Sequence, residues 1–520
     1  MIRGYRISSD LRRLTGLCGV IFVLSLAVYA ATAQRGVGWQ DSGEFQFRIL
    51  ANDYFWISGI ARAHPWYILM ARLFSLHFPV ALQFYAINLF SGLGMSVALV
   101  FLGLILWVLT RNVWAVIIAV VTLGLAHMAW WMATIAEVYT WSAAFLMAEL
   151  FCLLNAIKNE ERVGEPYLHK GSFGWWVALA LINGVHASLH NFAFLNIPVY
   201  VVVFITQHLD KKARIILARI LICLAAWLAG AALLIWVFAV EWRNLGVFSS
   251  ALKSLFFGRE FEQVVLGTRA INWPLAIMNF SLASVSLMNP CWLFVFFGWR
   301  AGNASRVWKW CLLGSTAVHG LFWVRYFVAD QATFVLPVLS LLAIWLGLGV
   351  ASRKLGTRIR WLTVLVAVLC SVTVPVLLNE FISARHGGVV RSRMLPFRDE
   401  TRYWLLPWKQ HECSAMRFVE GAKNILRDGD VLIADNTAAG PVFAVREAGK
   451  LPHNIRIIAF FTGETDDELV RIVTASERVF IVSPVAGYAS AKLLDGRFQF
   501  EPEGVLYRVT SKRAKAMERE

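Results

Sequence analysis

Two carboxylates stand three positions apart in Asp41-Ser42-Gly43-Glu44, about one turn of chain if the segment is helical. Acids held that close push their pKa values apart, and the one left ionised can serve as a general base. The same residues also suit a helix start, with Asp41 capping and Glu44 closing a capping box; both readings can hold together. Arg48, Arg62 and His64 follow in the same stretch, then Glu137 and Tyr139, His186 and His190, and finally Arg325, Asp330 and Gln331. His186 and His190 lie at i, i+4 and would share a helix face, a spacing open to metal chelation. No HExxH pattern accompanies them, so hydrogen bonding to a substrate or capping is the preferred reading, and no metal or other cofactor is expected.

The elements that must position these groups are apolar. Of the 520 residues, 58% are hydrophobic and 16% charged, against about 25% charged in a soluble chain; the mean hydropathy is +0.60. The apolar residues come in blocks that reach the roughly 20 residues a membrane helix needs. The block at 14–33 follows Arg3, Arg6, Arg12 and Arg13; it is longer than a signal-peptide core and reads as a retained first helix. Further spans are expected near 85–110, 113–132, 140–157, 173–189, 192–206, 220–240, 274–299, 310–327, 333–350 and 362–378, about eleven in all. Lys and Arg clusters between blocks hold the N-terminus in the cytoplasm and send the C-terminus out.

With that topology the ionisable residues collect at outward turns. Groups near membrane depth are expensive, about 2.5–3.5 kcal/mol each, and by default indicate function; helix-end caps and interfacial anchors are the plainer account of any single one. Arg385, Arg391, Arg393, Arg398 and Arg402 sit on the outer side against the positive-inside rule and are unexplained by topology. Trp39, Trp56, Trp66, Trp130, Trp131 and Trp141 read mostly as an interfacial belt. The net charge of +16 is spread over loops, which favours the lipid bilayer and phosphate-bearing lipids over nucleic acid as partners. The seven cysteines have neither zinc nor redox spacing, so no disulfide framework is expected.

The chain divides into a membrane part, 1–380, and a tail, 381–520. In the tail, 430–435, 455–460 and 478–483 are short Val/Ile-rich strands separated by helical stretches at 441–449 and 466–475, the pattern of a small parallel α/β domain. The first strand is followed by no Gly-rich fingerprint, which argues against nucleotide binding there.

The ordered motifs resemble a family of multipass membrane glycosyltransferases typified by a eukaryotic protein O-mannosyltransferase of plexin-type receptors. The resemblance lies in Asp41-Ser42-Gly43-Glu44, Ala63-His64-Pro65, Ala136-Glu137-Val138-Tyr139, the stretch from His186 to Asn191, and Asp330-Gln331 followed by Phe334 and Pro337. Two positions depart from it. Trp66-Tyr67 follows His64-Pro65 where the family continues Pro-Gly-Tyr-Pro, and the turn after the first tail strand is reduced to Asp435-Asn436-Thr437.

Membership implies a GT-C-like helical membrane protein, here a bacterial inner-membrane one, whose tail is periplasmic. It also implies transfer of a sugar, mannose being the candidate, from a polyprenyl-phosphate donor to a hydroxyl of a protein or envelope glycan. Asp41 is then the expected base, with Glu44 beside it. Arg62 and Arg325 are the expected phosphate binders, and His64, Glu137, Tyr139, His186, His190, Asp330 and Gln331 complete the substrate site. Some of the tryptophans would stack on sugar rings. A transporter or flippase would keep its polar groups at the midplane within paired repeats, which this sequence lacks; a non-catalytic scaffold would tolerate Asp41→Asn.

Overall fold

The computed structural model describes residues 2–161, 172–209, 211–259, 261–266, 270–301, 304–386, 395–452, 454–459 and 462–511. Among the described residues, seven helices are long and apolar enough to cross a bilayer. They fall within 12–32, 80–110, 139–157, 191–208, 213–230, 331–351 and 357–385. An eighth span results if Trp273–Val285 and Pro290–Arg300, bent by 81°, are taken together.

Other apolar blocks are shorter or broken. The block at 113–132 divides into Val113–Gly124 and His127–Met132, and that at 220–240 into Ala213–Gly230 and Ala232–Leu245. Hydropathy averages across such breaks, whereas local chemistry makes them. At the 81° bend the Asn289 side chain accepts from Cys291 N–H and donates to Ala367 O, and Pro290 opens the new segment with no N–H to continue the old one. The loop at 158–170 falls largely outside the described residues.

Burial sorts the helices into centre and rim. The apolar window of 331–351 is 89% buried, whereas that of 213–230 is not buried at all. The rim helix is nevertheless held by backbone-close packing: a Cβ on Gly184 would lie 2.2 Å from Trp227 O, and one on Gly230 2.2 Å from Leu181 O. Small residues at such crossings are how helices associate where lipid removes the hydrophobic drive.

The final long helix, Thr357–His386, runs past the expected boundary at 380. Beyond it the tail forms a five-stranded sheet of order β2-β1-β3-β5-β4. The expected strands are present as β1 (Val431–Ile433), β2 (Arg456–Ile458) and β3 (Val479–Ile481). They are parallel, with Val431 opposite both Arg456 and Val479; Phe460 lies outside the described residues. The helix expected at 441–449 starts earlier, as Asn436–Glu447, because Asp435 caps Thr437 N–H, while Asp466–Ala475 opens on a capping box between Thr465 and Glu468.

The sheet is mixed rather than wholly parallel. A hairpin of β4 (Phe498–Glu503) and β5 (Leu506–Ser511) adds antiparallel to β3. Its outer strand carries Pro502 and few buried residues, the composition of a sheet edge.

The tail is fused to the bundle. Gly43 of helix Gln40–Ala51 meets Gly440 of helix Asn436–Glu447 so closely that a Cβ on Gly43 would lie 2.7 Å from Pro441 N. The Trp39 indole donates to Ser414 Oγ at 2.7 Å. Lys409 N–H donates to Thr32 O, Thr134 Oγ to Pro407 O, and a His127 ring nitrogen contacts Leu405 O. One continuous core includes Trp39, Phe45, Phe418 and Phe443.

Candidate active site

Helix Gln40–Ala51 begins after Trp39, with no side-chain cap, so neither Asp41 nor Glu44 is spent on capping. Both reach a cavity of about 530 Å³. The Arg62 guanidinium, delivered by the short 3-10 turn Ile60–Arg62, donates through one Nη to Asp41 at 3.4 Å and Glu44 at 3.3 Å. Asp41 is the more accessible acid, its side chain 42% exposed against 12% for Glu44.

His64 precedes Pro65 in a left-handed conformation, φ 47°. Its Nδ1 lies 2.7 Å from Leu189 O, a contact that requires the proton on Nδ1 and leaves Nε2 as an acceptor. It stacks on His190 with ring centroids 5.2 Å apart. His190 Nδ1 accepts from Phe192 N–H, so its Nε2 carries the proton in the neutral ring. Burial pushes His64 down to about 3 and His190 well below the usual imidazole value, keeping both neutral.

Across the cavity Tyr139 donates to Asp330 Oδ2 at 3.1 Å. Glu137 sits at the turn before the Tyr139 helix, its N–H bonded to Ser91 Oγ at 2.9 Å. Burial first, and the neighbouring carboxylates second, raise these acids: Glu44 to about 7, Asp330 to about 6, and Glu137 well above the carboxylate range. Arg62 opposes the rise in all three. A concave site with four acids and a guanidinium is therefore less negative near neutral pH than its formula suggests, and its protonated acids can donate hydrogen bonds. Among the described residues no three His, Cys, Asp or Glu side chains are arranged to hold a metal ion.

The remaining walls differ in character. Part of the lining is apolar, with Phe194, Leu195, Phe256, Phe257, Phe261 and Phe322. The tail contributes Tyr403, Trp404, Asn436 and Thr437, Tyr403 and Trp404 packing edge-on against Trp131. Reading residue types along the chain did not place these tail groups at the cavity, because they are far in sequence from the helices they meet. The aromatic run from Tyr403 to Trp408 beside buried Arg398 was the available signal.

Three expected site residues lie elsewhere. His186 is inside the bundle, its Nδ1 2.8 Å from Glu149 and its Nε2 2.7 Å from Ser142 Oγ, with Tyr200 donating to the second Glu149 oxygen. The helix ends at Leu189 and His190 turns away with ψ 144°, so the two histidines do not share a face and the i, i+4 chelate does not form. Arg325 is on the surface, donating to Leu266 O, and Gln331 is buried with its amide on Trp323 O; neither lines the cavity.

The outer arginine run also resolves in part. Arg398 is buried in a bidentate pair with Glu400, both contacts 2.8 Å, under the Tyr403 ring, while Arg391 and Arg393 lie outside the described residues. The six tryptophans are not a lipid-facing belt. Trp39, Trp130 and Trp131 are buried against Phe418, Trp408 and Trp404 of the tail, and Trp56 is buried beside the Arg48 guanidinium. Trp66 packs edge-on against Trp141 and Phe145, and Trp141 lies tilted against Phe90.

The fold is that of membrane GT-C glycosyltransferases. The crystal structure of ArnT from Cupriavidus metallidurans bound to undecaprenyl phosphate superposes with a TM-score of 0.64 at 12% identity, covering 95% of this chain and 98% of that one. The Archaeoglobus fulgidus oligosaccharyltransferase AglB, in complex with an inhibitory peptide and a dolichol-phosphate, gives 0.51 at 10% identity, covering 91% and 69%. No curated protein matches at the sequence level. Residues 41–213 match the family described as Protein O-mannosyl-transferase TMEM260 N-terminal domain, the kind of family that the motifs in this stretch resemble.

Proposed function

We propose that the protein transfers a sugar from a polyprenyl-phosphate donor to a hydroxyl acceptor, with inversion at the anomeric carbon. The observation that carries this reading is the cavity itself. One guanidinium is clasped by two acids, in a cavity lined also by phenylalanines of the bundle and by aromatic and amide side chains of the tail. An amphiphilic donor fits such a site, its prenyl chain along the phenylalanines and its phosphosugar at Arg62. ArnT and AglB are described with undecaprenyl phosphate and dolichol-phosphate, which supports a lipid carrier for this chain too.

In the reaction the acceptor oxygen attacks the anomeric carbon as its proton passes to the Asp41 carboxylate. The bond from that carbon to the phosphate oxygen breaks, and the departing charge falls on Arg62, which needs no proton to stabilise it. Asp41 is the chosen base because its side chain is the more accessible of the clasped pair. Glu44 holds Arg62 in place, and Glu137, His64, His190 and the Tyr139–Asp330 pair hydrogen-bond sugar hydroxyls. The tail wall receives the acceptor, a protein Ser/Thr or an envelope glycan; mannose is the sugar the family favours. The tail then faces the periplasm from a bacterial inner membrane.

The test is turnover of polyprenyl-phosphate sugars by the purified protein and by Asp41→Asn. General-base catalysis supplies roughly 10²–10⁴-fold, so the variant is expected to lose at least the lower figure with donor binding retained. Undiminished turnover removes Asp41 from the role, and a wild type that consumes no such donor removes the function.

A further inference from the structure

Arg48 lies directly behind the acid wall of the cavity without lining it. We infer that Arg48 is a positioning residue: it builds the turn that presents Arg62 and His64 and backs Glu44 from the protein side. This rests on the transferase reading of the cavity.

The Arg48 side chain has no solvent exposure. One Nη donates to Arg62 O at 3.1 Å, and the other to Ala63 O. The first Nη is also 3.7 Å from Glu44, one helical turn earlier, while Nε is 4.0 Å from Asp53 and the guanidinium stands 4.8 Å over the Trp56 ring. A single planar fork therefore grips two successive carbonyls and touches two acids, which an ammonium cannot reproduce.

The backbone of the next residue makes this grip necessary. His64 has φ 47° and ψ 47°, a strained conformation for a residue with a Cβ, and such conformations persist only where the surroundings over-determine them. Pro65 bars the ordinary helical alternative for the residue before it. The constraints are Arg48 on the upstream carbonyls and Leu189 O on the ring. If the fork is lost, Arg62 loses its direction toward Asp41 and Glu44, and His64 its stacking on His190.

Charge acts in the same sense. The charged groups facing Arg48 are Glu44, Asp53 and Arg62, with Asp41 beyond Glu44. Burial favours the protonated form of Glu44, and Arg62 and Arg48 are the cations that oppose it.

The experiment compares full-length wild type, R48K and R48Q, measuring kcat and KM for the lipid-linked donor from about pH 5 to 9. A misplacement of about 1 Å costs on the order of 10²-fold. R48Q is expected to lose about that much in kcat and to shift its acidic limb to higher pH. R48K is expected to keep the limb but lose about 10-fold in kcat. Wild-type kcat in R48K, or a wild-type limb and rate in R48Q, overturns the inference; should R48Q fail to fold, R48K decides. A wild type inactive on any lipid-linked sugar instead overturns the transferase reading. The nitrogen spectrum of labelled histidine then still tests positioning: the His64 ring resonance must move in R48K, and an unmoved one refutes the role.

Discussion

Gly43→Ala is the substitution that tests how the site is assembled, because it adds one methyl group where the catalytic helix meets the tail. That carbon would lie 2.5 Å from Gly38 O, 2.7 Å from Pro441 N and 2.8 Å from Gly440 C. All three are backbone atoms, so no flexible side chain can give way. Overpacking costs typically about 1–3 kcal/mol, and the rigid surroundings argue for the upper figure. At about 1.4 kcal/mol per factor of ten, a cost of about 3 kcal/mol weakens docking of the tail roughly 100-fold. The helix that shifts carries Asp41 and Glu44, and its partner carries Asn436 and Thr437, so the cavity lining moves with it. The assays are donor turnover and limited proteolysis of the segment between His386 and Ser414. Gly174→Ala serves as control, since nothing stands within 4 Å of a Cβ there. A Gly43→Ala protein with wild-type turnover and an uncut tail refutes the close-packed assembly.

Other outcomes are equally specific. Glu44 is raised from 4.5 to about 7 by burial, so between those values the native state holds a proton that the unfolded chain has lost. Its contribution to stability is complete below about pH 4.5 and is lost as pH rises through 7. The melting temperature of Glu44→Gln relative to wild type should therefore climb over that window, and a pH-independent difference contradicts the assignment. The comparison is made as a difference because His64 and His190, depressed by burial, act in the opposite sense. His186→Ala leaves buried Glu149 without its imidazole and should cost about 3–5 kcal/mol of stability, with donor KM unchanged in the protein that folds. His190→Ala should show the reverse, a raised KM with modest loss of stability; equal KM values for the two variants contradict their separation by the structure.

Spacing along the chain was a sufficient guide to the membrane character and to the three parallel strands, and it named the four acids that line the cavity. Each of these is local: an apolar run declares a helix in lipid, a Val/Ile run between turns declares a strand, and an ionisable residue at a helix end is costly enough to single out. Spacing failed where a neighbour decided the matter. His186 and His190 have the right interval, yet a helix end between them turns one into the cavity and leaves the other with Glu149. Arg325 and Arg62 are both guanidiniums at the ends of helical segments, and of the two only Arg62 meets two acids.

From residue types alone came the expectation of a membrane protein whose acids, imidazoles and guanidiniums gather at helix ends. Tertiary structure decided which of them converge, that Arg48 stands behind them, and that the tail closes the cavity with Tyr403, Trp404, Asn436 and Thr437. The physical reason is range: burial cost and backbone preference act within a turn or two of the chain, whereas a site spanning Asp41 to Thr437 exists only once helices far apart in sequence have packed.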